Sequence, residues 1–215
     1  MRFEVFDLGL VAYKEAWDFQ KEIFAKVKSG SIESALILCR HFPVITLGRL
    51  ADERNILSDS RQLNLRQIEI YRTERGGDIS YHGPGQLIAY PVFNLSYLKK
   101  DIHWFLRYLE RIIITFLSDC GAAAKARPGL TGVWIGDRKI ASIGIAIRNW
   151  ISFHGFSVNI SSNDLDNFRL IRPCGMNIEM TCLERETGQL MEMNDLSLCL
   201  IQSIPKTLDA SALGC

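Results

Sequence analysis

Gly132-Val-Trp-Ile-Gly-Asp-Arg-Lys-Ile-Ala-Ser-Ile-Gly-Ile-Ala-Ile-Arg-Asn-Trp-Ile-Ser-Phe-His-Gly-Phe-Ser-Val-Asn-Ile160 reads as three strands and two tight turns. Residues 132–135, 139–147 and 151–160 are rich in β-branched and aromatic residues. Gly136-Asp-Arg and Arg148-Asn149 separate them with turn formers. Consecutive strands joined by such short turns must run antiparallel.

Upstream the pattern changes period. Ala16, Phe19, Ile23 and Val27 recur at helical spacing, predicting a helix over 12–27 that ends near Gly30. Asp101 is the expected N-cap of a second helix running to about Asp119, with Ile102, Phe105, Leu109, Ile112, Ile113 and Phe116 inward and Gly121 at its end. Strands are expected at 2–8, 34–40, 43–49, 68–73 and 87–95. Residues 51–65 read as a loop with a short helical piece, 161–180 as a polar connection and 194–204 as a final helix. The tail after about Ile204 carries no motif. The expectation is an α/β fold: one domain over 1–215 with a mixed, largely antiparallel sheet and flanking helices.

The chain has 215 residues, 47% hydrophobic and 23% charged, with a net charge of +1. That balance gives no global attraction to nucleic acid or an anionic membrane. The N-terminus has no signal-like apolar segment, and no run approaches a membrane span. The six cysteines form no Cys-x-x-Cys pair, and the histidines at 41, 82, 103 and 154 show no ligand spacing, so neither a metal nor a disulfide framework is expected. Reduced thiols in a cytoplasm are the simplest expectation.

Arg75-Gly-Gly-Asp-Ile-Ser-Tyr-His-Gly-Pro-Gly-Gln86 holds four glycines in ten residues at 76, 77, 83 and 85. A plain turn needs one or two, so a loop that cradles a substrate is the better reading than an elaborate hairpin connection. Among the cysteines Cys174 stands apart, in Arg172-Pro-Cys-Gly175 within a polar stretch, and reads as a nucleophile. Cys39, Cys120 and Cys199 lie in apolar or helical contexts and read as small hydrophobes. An ordinary thiol is only a few per cent thiolate at neutral pH, so a nucleophilic cysteine needs a cation or base nearby. Lys139, at the start of a strand, could supply the cation, although by itself it reads as a solvated turn lysine. His82 and His154 are the competing activators, and each also reads as a structural histidine.

His41-x-Pro-Val-x-Thr-Leu-Gly48, the glycine loop, Gly132-Val-Trp-x-Gly-x-Arg-Lys-Ile-Ala-Ser-x-Gly144, Ser152-Phe-His-Gly-Phe156 and Pro173-Cys-Gly175 occur in that order. Together they resemble the octanoyl-acyl carrier protein:protein octanoyltransferases of lipoate biosynthesis, over about residues 40–185. The resemblance implies the fold shared with biotin and lipoate protein ligases. It implies that Cys174 takes octanoyl from the phosphopantetheine thioester of octanoyl-acyl carrier protein, and that Lys139 lowers the pKa of that thiol. The acceptor would be a lysine of a lipoyl domain, in 2-oxoacid dehydrogenase complexes or the glycine cleavage H protein. Arg75, Gly76, Gly77, Asp78, Ile79, Ser80, Tyr81 and His82, with Ser142, Ile143, Gly144, Gly155, Phe156 and Ser157, match the family's substrate-lining segments. Ser80 stands where many members have threonine, which keeps the hydroxyl.

Thioester-to-amine transfer is downhill, so the resemblance implies no cofactor: neither ATP nor a metal. The donor and acceptor proteins are typically acidic, so a local basic surface including Arg49, Arg72, Arg148 and Arg172 is expected. Two other readings compete. An ATP-dependent lipoate or biotin ligase shares the fold and an Arg-x-Gly-Gly-type loop but needs no nucleophilic cysteine. A silent acyl- or carrier-binding module needs neither Lys139 nor Cys174.

Overall fold

The computed structural model describes residues 2–173 and 178–212, with side chains as far as residue 206. Cys174 therefore lies outside the described residues.

Among the described residues ten strands form two sheets. The larger has the order β1-β2-β6-β10-β9-β8-β7, where β1 is Glu4–Val11, β2 Ser34–His41, β6 Gln86–Phe93, β7 Lys125–Arg127, β8 Leu130–Ile135, β9 Arg138–Arg148 and β10 Ile151–Asn159. Only β1 and β2 run parallel in it; every other neighbouring pair is antiparallel. The crossover between those two is α1 (Tyr13–Ser29), and it covers one face of the sheet with Ala16, Ile23 and Val27. Gly30 ends it in the left-handed conformation, φ +79°, its N–H returned to Val27 O at 3.1 Å.

The opposite face carries α3 (Ile102–Asp119) and α5 (Met193–Ala212). Asp101 caps α3 by accepting the Trp104 N–H at 2.9 Å. Phe105, Leu109, Ile112, Ile113 and Phe116 enter the core with Leu196, Leu200 and Ile204 of α5. Ile102 does not: it is 48% exposed, in the first turn of the helix. Strand β2 has no polar alternation because both of its faces are covered. Leu36 and Leu38 face the α3 side, and Ala35, Ile37 and Cys39 face α1.

The smaller sheet, β4-β3-β5, joins Val44–Leu47 (β3) to Glu69–Arg72 (β4) in parallel and to Ile79–His82 (β5) antiparallel. A short helix α2 (Ser60–Leu65) precedes β4, and a 3-10 stretch at Ser162–Leu170 closes this sheet's own core with Phe168 and Leu170. The β9–β10 turn is Asn149-Trp150, both residues at positive φ (54° and 60°). It lies one residue later than the sequence suggests, since Arg148 stays in the ladder opposite Ile151. The last helix also runs beyond Ile204 to Ala212, with Pro205 inside it, after the five-residue helix α4 (Leu183–Thr187).

Candidate active site

The two sheets meet at a cavity of about 320 Å³. The glycine loop leaves β4, crosses its mouth and returns as β5. Its shape is fixed by backbone contacts with the segment after β3. Gly48 N–H donates to Asp78 O at 3.1 Å, Arg49 N–H to Arg75 O at 3.0 Å, and Leu50 N–H to Gly77 O at 3.1 Å. The glycines are steric requirements here: a Cβ on Gly48 would lie 2.3 Å from Gly77 O, and Gly77 itself has φ +84°.

Arg75 is buried and holds the corner together. Its Nη2 donates to Thr46 O at 2.6 Å and to Thr46 Oγ1 at 2.9 Å, and its Nη1 donates to Gly76 O at 3.0 Å. Gly76 N–H donates to Ile145 O at 2.7 Å, tying the loop to β9. The Asp78 carboxylate accepts the Asp52 N–H and the Asn55 side-chain amide at 3.1 and 2.8 Å. This carboxylate serves the loop's shape.

Arg75, Gly77, Asp78, Ile79, Ser80, His82, Lys139, Ser142, Ile143, Gly144, Gly155, Phe156 and Ser157 all line the cavity. Gly76 and Tyr81 are not among its lining residues. Gly76 faces the Ile145 carbonyl. Tyr81 points into the smaller sheet's core, where its hydroxyl donates to Asp164 Oδ1 at 3.2 Å. Strand alternation separates it from Ser80 and His82.

Lys139 reaches the cavity from the start of β9, with 6% of its surface exposed. The expectation of a solvated turn lysine does not hold. Its ammonium lies over the Trp134 ring, 5.4 Å from the centroid. Its backbone is gripped by the returning segment: Lys139 N–H donates to Glu179 O at 2.8 Å, and Thr181 N–H donates to Lys139 O at 2.9 Å. That pairing brings Pro173 and Ile178, on either side of the Cys174 segment in the chain, into the lining of the same cavity.

The two candidate histidine activators are tied into the structure. His82 shares Nδ1 with Gln86 Oε1 at 3.2 Å and Nε2 with Thr46 Oγ1 at 3.4 Å, and burial pushes its pKa down to about 3. His154 has φ +55° and its N–H donates to Gln20 Oε1 at 3.0 Å. Burial lowers its pKa, against the pull of Glu74, which stands 3.6 Å away. Neither ring is a cation at neutral pH, so neither can favour a thiolate by its charge.

Tyr13, Ile88, Tyr90, Gly129, Leu130, Thr131, Trp134, His154, Phe168, Pro173 and Ile178 complete the lining. None of these is expected from the sequence to line a substrate site, although Trp134, His154 and Pro173 belong to the quoted motifs. Tyr90 donates to His41 Nε2 at 2.7 Å, and His41 Nδ1–H reaches Val11 O at 3.0 Å. A tyrosine in the middle of an apolar strand with a histidine 49 residues away gives no local signal of this pairing. Among the described residues no group of three or more His, Cys, Asp or Glu side chains is arranged to hold a metal. Among the same residues no helix is long and apolar enough to cross a membrane.

Residues 12–205 match the lipoyl protein ligase A/B catalytic domain. The chain is 43% identical over 187 residues to an octanoyltransferase of Clostridium kluyveri, covering 87% of this chain and 80% of that protein. It is 40% identical over 208 residues to an octanoyltransferase of Syntrophotalea carbinolica, covering 95% of each. A crystal structure of lipoate-protein ligase A bound with ATP superposes with a TM-score of 0.80 at 16% identity, over 97% of this chain and 86% of that one. The apo biotin protein ligase of Aquifex aeolicus gives 0.53 at 9% identity, over 98% and 70%. At such identities these two likenesses describe the fold.

Proposed function

The chain belongs to the lipoyl protein ligase A/B catalytic domain family, and from that premise we propose that it is an octanoyltransferase of protein lipoylation that works through a cysteine thioester. The donor is octanoyl-acyl carrier protein and the acceptor the lysine of a lipoyl domain. What carries the reading is the convergence on one cavity of Lys139, the glycine loop and the two residues, Pro173 and Ile178, that flank the Cys174 segment.

In the first half-reaction the Cys174 sulfur attacks the thioester carbonyl of the donor. The bond to the phosphopantetheine sulfur breaks, and that thiol leaves with the proton given up by Cys174. In this reading the positive charge of Lys139 favours the thiolate of Cys174. In the second, the ε-amine of the acceptor lysine attacks the acyl-enzyme carbonyl, an amide forms and the Cys174 thiol is regenerated. Thioester exchange is nearly balanced and amide formation is downhill, so the sequence of steps needs no ATP. Amide donors aimed at the developing oxyanion are commonly worth about 3–4 kcal/mol in such steps. Apolar side chains such as Ile88, Ile143 and Phe156 suit an alkyl chain, and the cavity's volume falls in the ordinary range for small-molecule sites.

The ATP-dependent ligase reading shares the fold, and likeness to lipoate-protein ligase A does not separate the two. The Cys174 motif and the octanoyltransferase relatives favour transfer. Intact mass of the protein mixed with octanoyl-acyl carrier protein tests it. One octanoyl adduct on the wild type, lost in Cys174→Ala, is expected. An unmodified wild type with intact donor would sink the covalent mechanism, and ATP-dependent turnover by Cys174→Ala would favour the ligase.

A further inference from the structure

Glu110 projects from α3 into the core with 2% of its surface exposed, and no step of the proposed reaction uses it. A carboxylate out of water is costly unless it is paired and hydrogen-bonded. Its Oε1 accepts the Gly132 N–H at 3.1 Å, and its Oε2 lies 2.7 Å from Arg107 Nη1.

Gly132 is also the residue across which Lys139 is laid. It has φ +127°, and a Cβ there would lie 2.6 Å from Lys139 Cε and 3.2 Å from Nζ. The strand register shifts just beyond it, between Val133 and Trp134, opposite the lysine. One glycine therefore meets the carboxylate of Glu110 through its N–H and the Lys139 side chain through its missing Cβ. Burial raises the Glu110 carboxyl pKa, while the Gly132 N–H, Arg107 and then the Lys139 charge act to lower it.

We propose that Glu110 is a positioning residue for Lys139: from α3 it pins the glycine that makes room for the lysine chain, and its charge keeps the buried ammonium protonated. This rests on the proposed role of Lys139 in octanoyl transfer. Other charged groups stand around the pair, among them Arg138, which is paired with Glu186 at 2.8 Å beside Lys139. Arg107 faces Glu110 from its own helix, and Arg127 of β7 packs over the same Trp134 ring as Lys139. Glu179, whose carbonyl accepts the Lys139 N–H, is the next acid along the returning segment. A purely packing role for position 110 would be served by glutamine or methionine; the charge is what the proposal needs.

The test is the pH dependence of acyl-enzyme formation by the full chain, followed by intact mass with octanoyl-acyl carrier protein, from roughly pH 6 to 10. Glu110→Gln keeps an acceptor for Gly132 N–H and removes the charge. Its alkaline limb is expected about one pH unit below the wild type's, as for a cation that loses a close carboxylate. Glu110→Asp, which keeps the charge, restores the limb. A Glu110→Gln profile that superimposes on the wild type's, or that is only scaled down at every pH, overturns the proposal.

Lys139→Ala separates the two levels. If it matches wild-type activity, the reading beneath the proposal fails and takes the proposal with it. If it is inactive while Glu110→Gln leaves the limb in place, only the proposal fails. Should Glu110→Gln not fold, pH-dependent amine labelling of the wild type, read at Lys139 by mass spectrometry, decides. Titration near an ordinary lysine's pKa supports a compensating carboxylate. Titration about two or more units lower, as for an uncompensated buried lysine, overturns it.

Discussion

Asp164 leaves no room for a side chain at Gly83: a Cβ there would come within 2.6 Å of its Oδ2. The same carboxylate accepts the Gly85 N–H and the Tyr81 hydroxyl, so one acid from the 3-10 stretch clamps the back of the glycine loop. The Asn167 side-chain amide supports that hydroxyl from the same stretch, donating to it at 2.8 Å. The loop's front is then free to face the cavity.

Gly83→Ala is therefore expected to destabilise the protein by about 1–3 kcal/mol, since the Asp164 carboxylate and the Tyr81 hydroxyl, which would lie 2.5 Å from the same Cβ, are both held in place. Asp164→Ala is expected to cost about the same for a different reason, the loss of a buried acceptor for Gly85 N–H. At this chain length each kcal/mol corresponds to roughly 2–4 °C in melting temperature. Unchanged melting of both variants would refute the clamp.

Much of this fold could be read in the chain, and the failures have physical causes. The helices α1 and α3 and the hairpins of β8, β9 and β10 announce themselves through periodicity and turn residues. Strands β5 and β7 do not: Ile79–His82 lies inside the glycine loop, and Lys125–Arg127 is a three-residue edge with no apolar pattern. Strands β3 and β4 of the second sheet are legible at 43–49 and 68–73, but its third strand is not, and with β5 goes the fact that Tyr81 turns away from its neighbours. Lys139 was recognised only through a family likeness, because burial of a strand-start lysine depends on Trp134, Gly132 and residues 179–181, some of them forty positions away. Glu110 left no local mark at all, an acid on the inner face of an apolar helix.

Stability should fall as pH drops below the ordinary histidine range. His41, His82 and His154 all have pKa values depressed by burial, to about 4 for His41 and about 3 for His82. The unfolded chain takes up these protons near the ordinary value of 6.5, whereas the folded chain resists until the lower values. Their contribution is thus complete above 6.5 and is lost as pH falls toward 4 and then 3. The slope is roughly 1.4 kcal/mol per pH unit for each histidine while it is protonated only in the unfolded state. Melting temperature measured between about pH 7 and 5 should decline, and less steeply in His41→Gln. A flat profile would mean that these rings take up their protons in the folded state.

Gly155→Ala should be among the most damaging single-methyl additions in the chain. A Cβ there would lie 2.0 Å from Ala89 O and 2.7 Å from Pro91 Cδ, so the obstacle is the neighbouring strand β6 itself. Central strands cannot part to admit a methyl, and the expected cost is at or above about 3 kcal/mol, the upper end for overpacking. Gly136→Ala is the control, because nothing lies within 4 Å of its Cβ position and only its φ of +56° is at stake. Its cost should stay near 1–2 kcal/mol, the typical penalty for a left-handed non-glycine residue. Equal loss of stability in the two variants would refute the steric argument.

Gly132→Ala tests whether the seat of Lys139 matters to the reaction. The added methyl would meet Lys139 Cε at 2.6 Å and Ala141 O at 2.7 Å, in a backbone conformation with φ +127°. The lysine chain can yield, whereas the carbonyl belongs to the ladder, so the variant also carries a structural cost of its own. Octanoyl transfer is expected to fall by about tenfold or more, roughly 1.4 kcal/mol in the barrier, under conditions where the variant remains folded. Lost stability alone could not produce this, since a fully folded enzyme should then retain its rate. Combining the variants isolates the lysine's share: on a Lys139→Ala background Gly132→Ala should cost much less further rate, because only the Ala141 O contact and the positive φ remain to act. Additive losses in that double-mutant cycle would show that Gly132 acts on catalysis by another route, and the lysine's seat would lose its claim to a role.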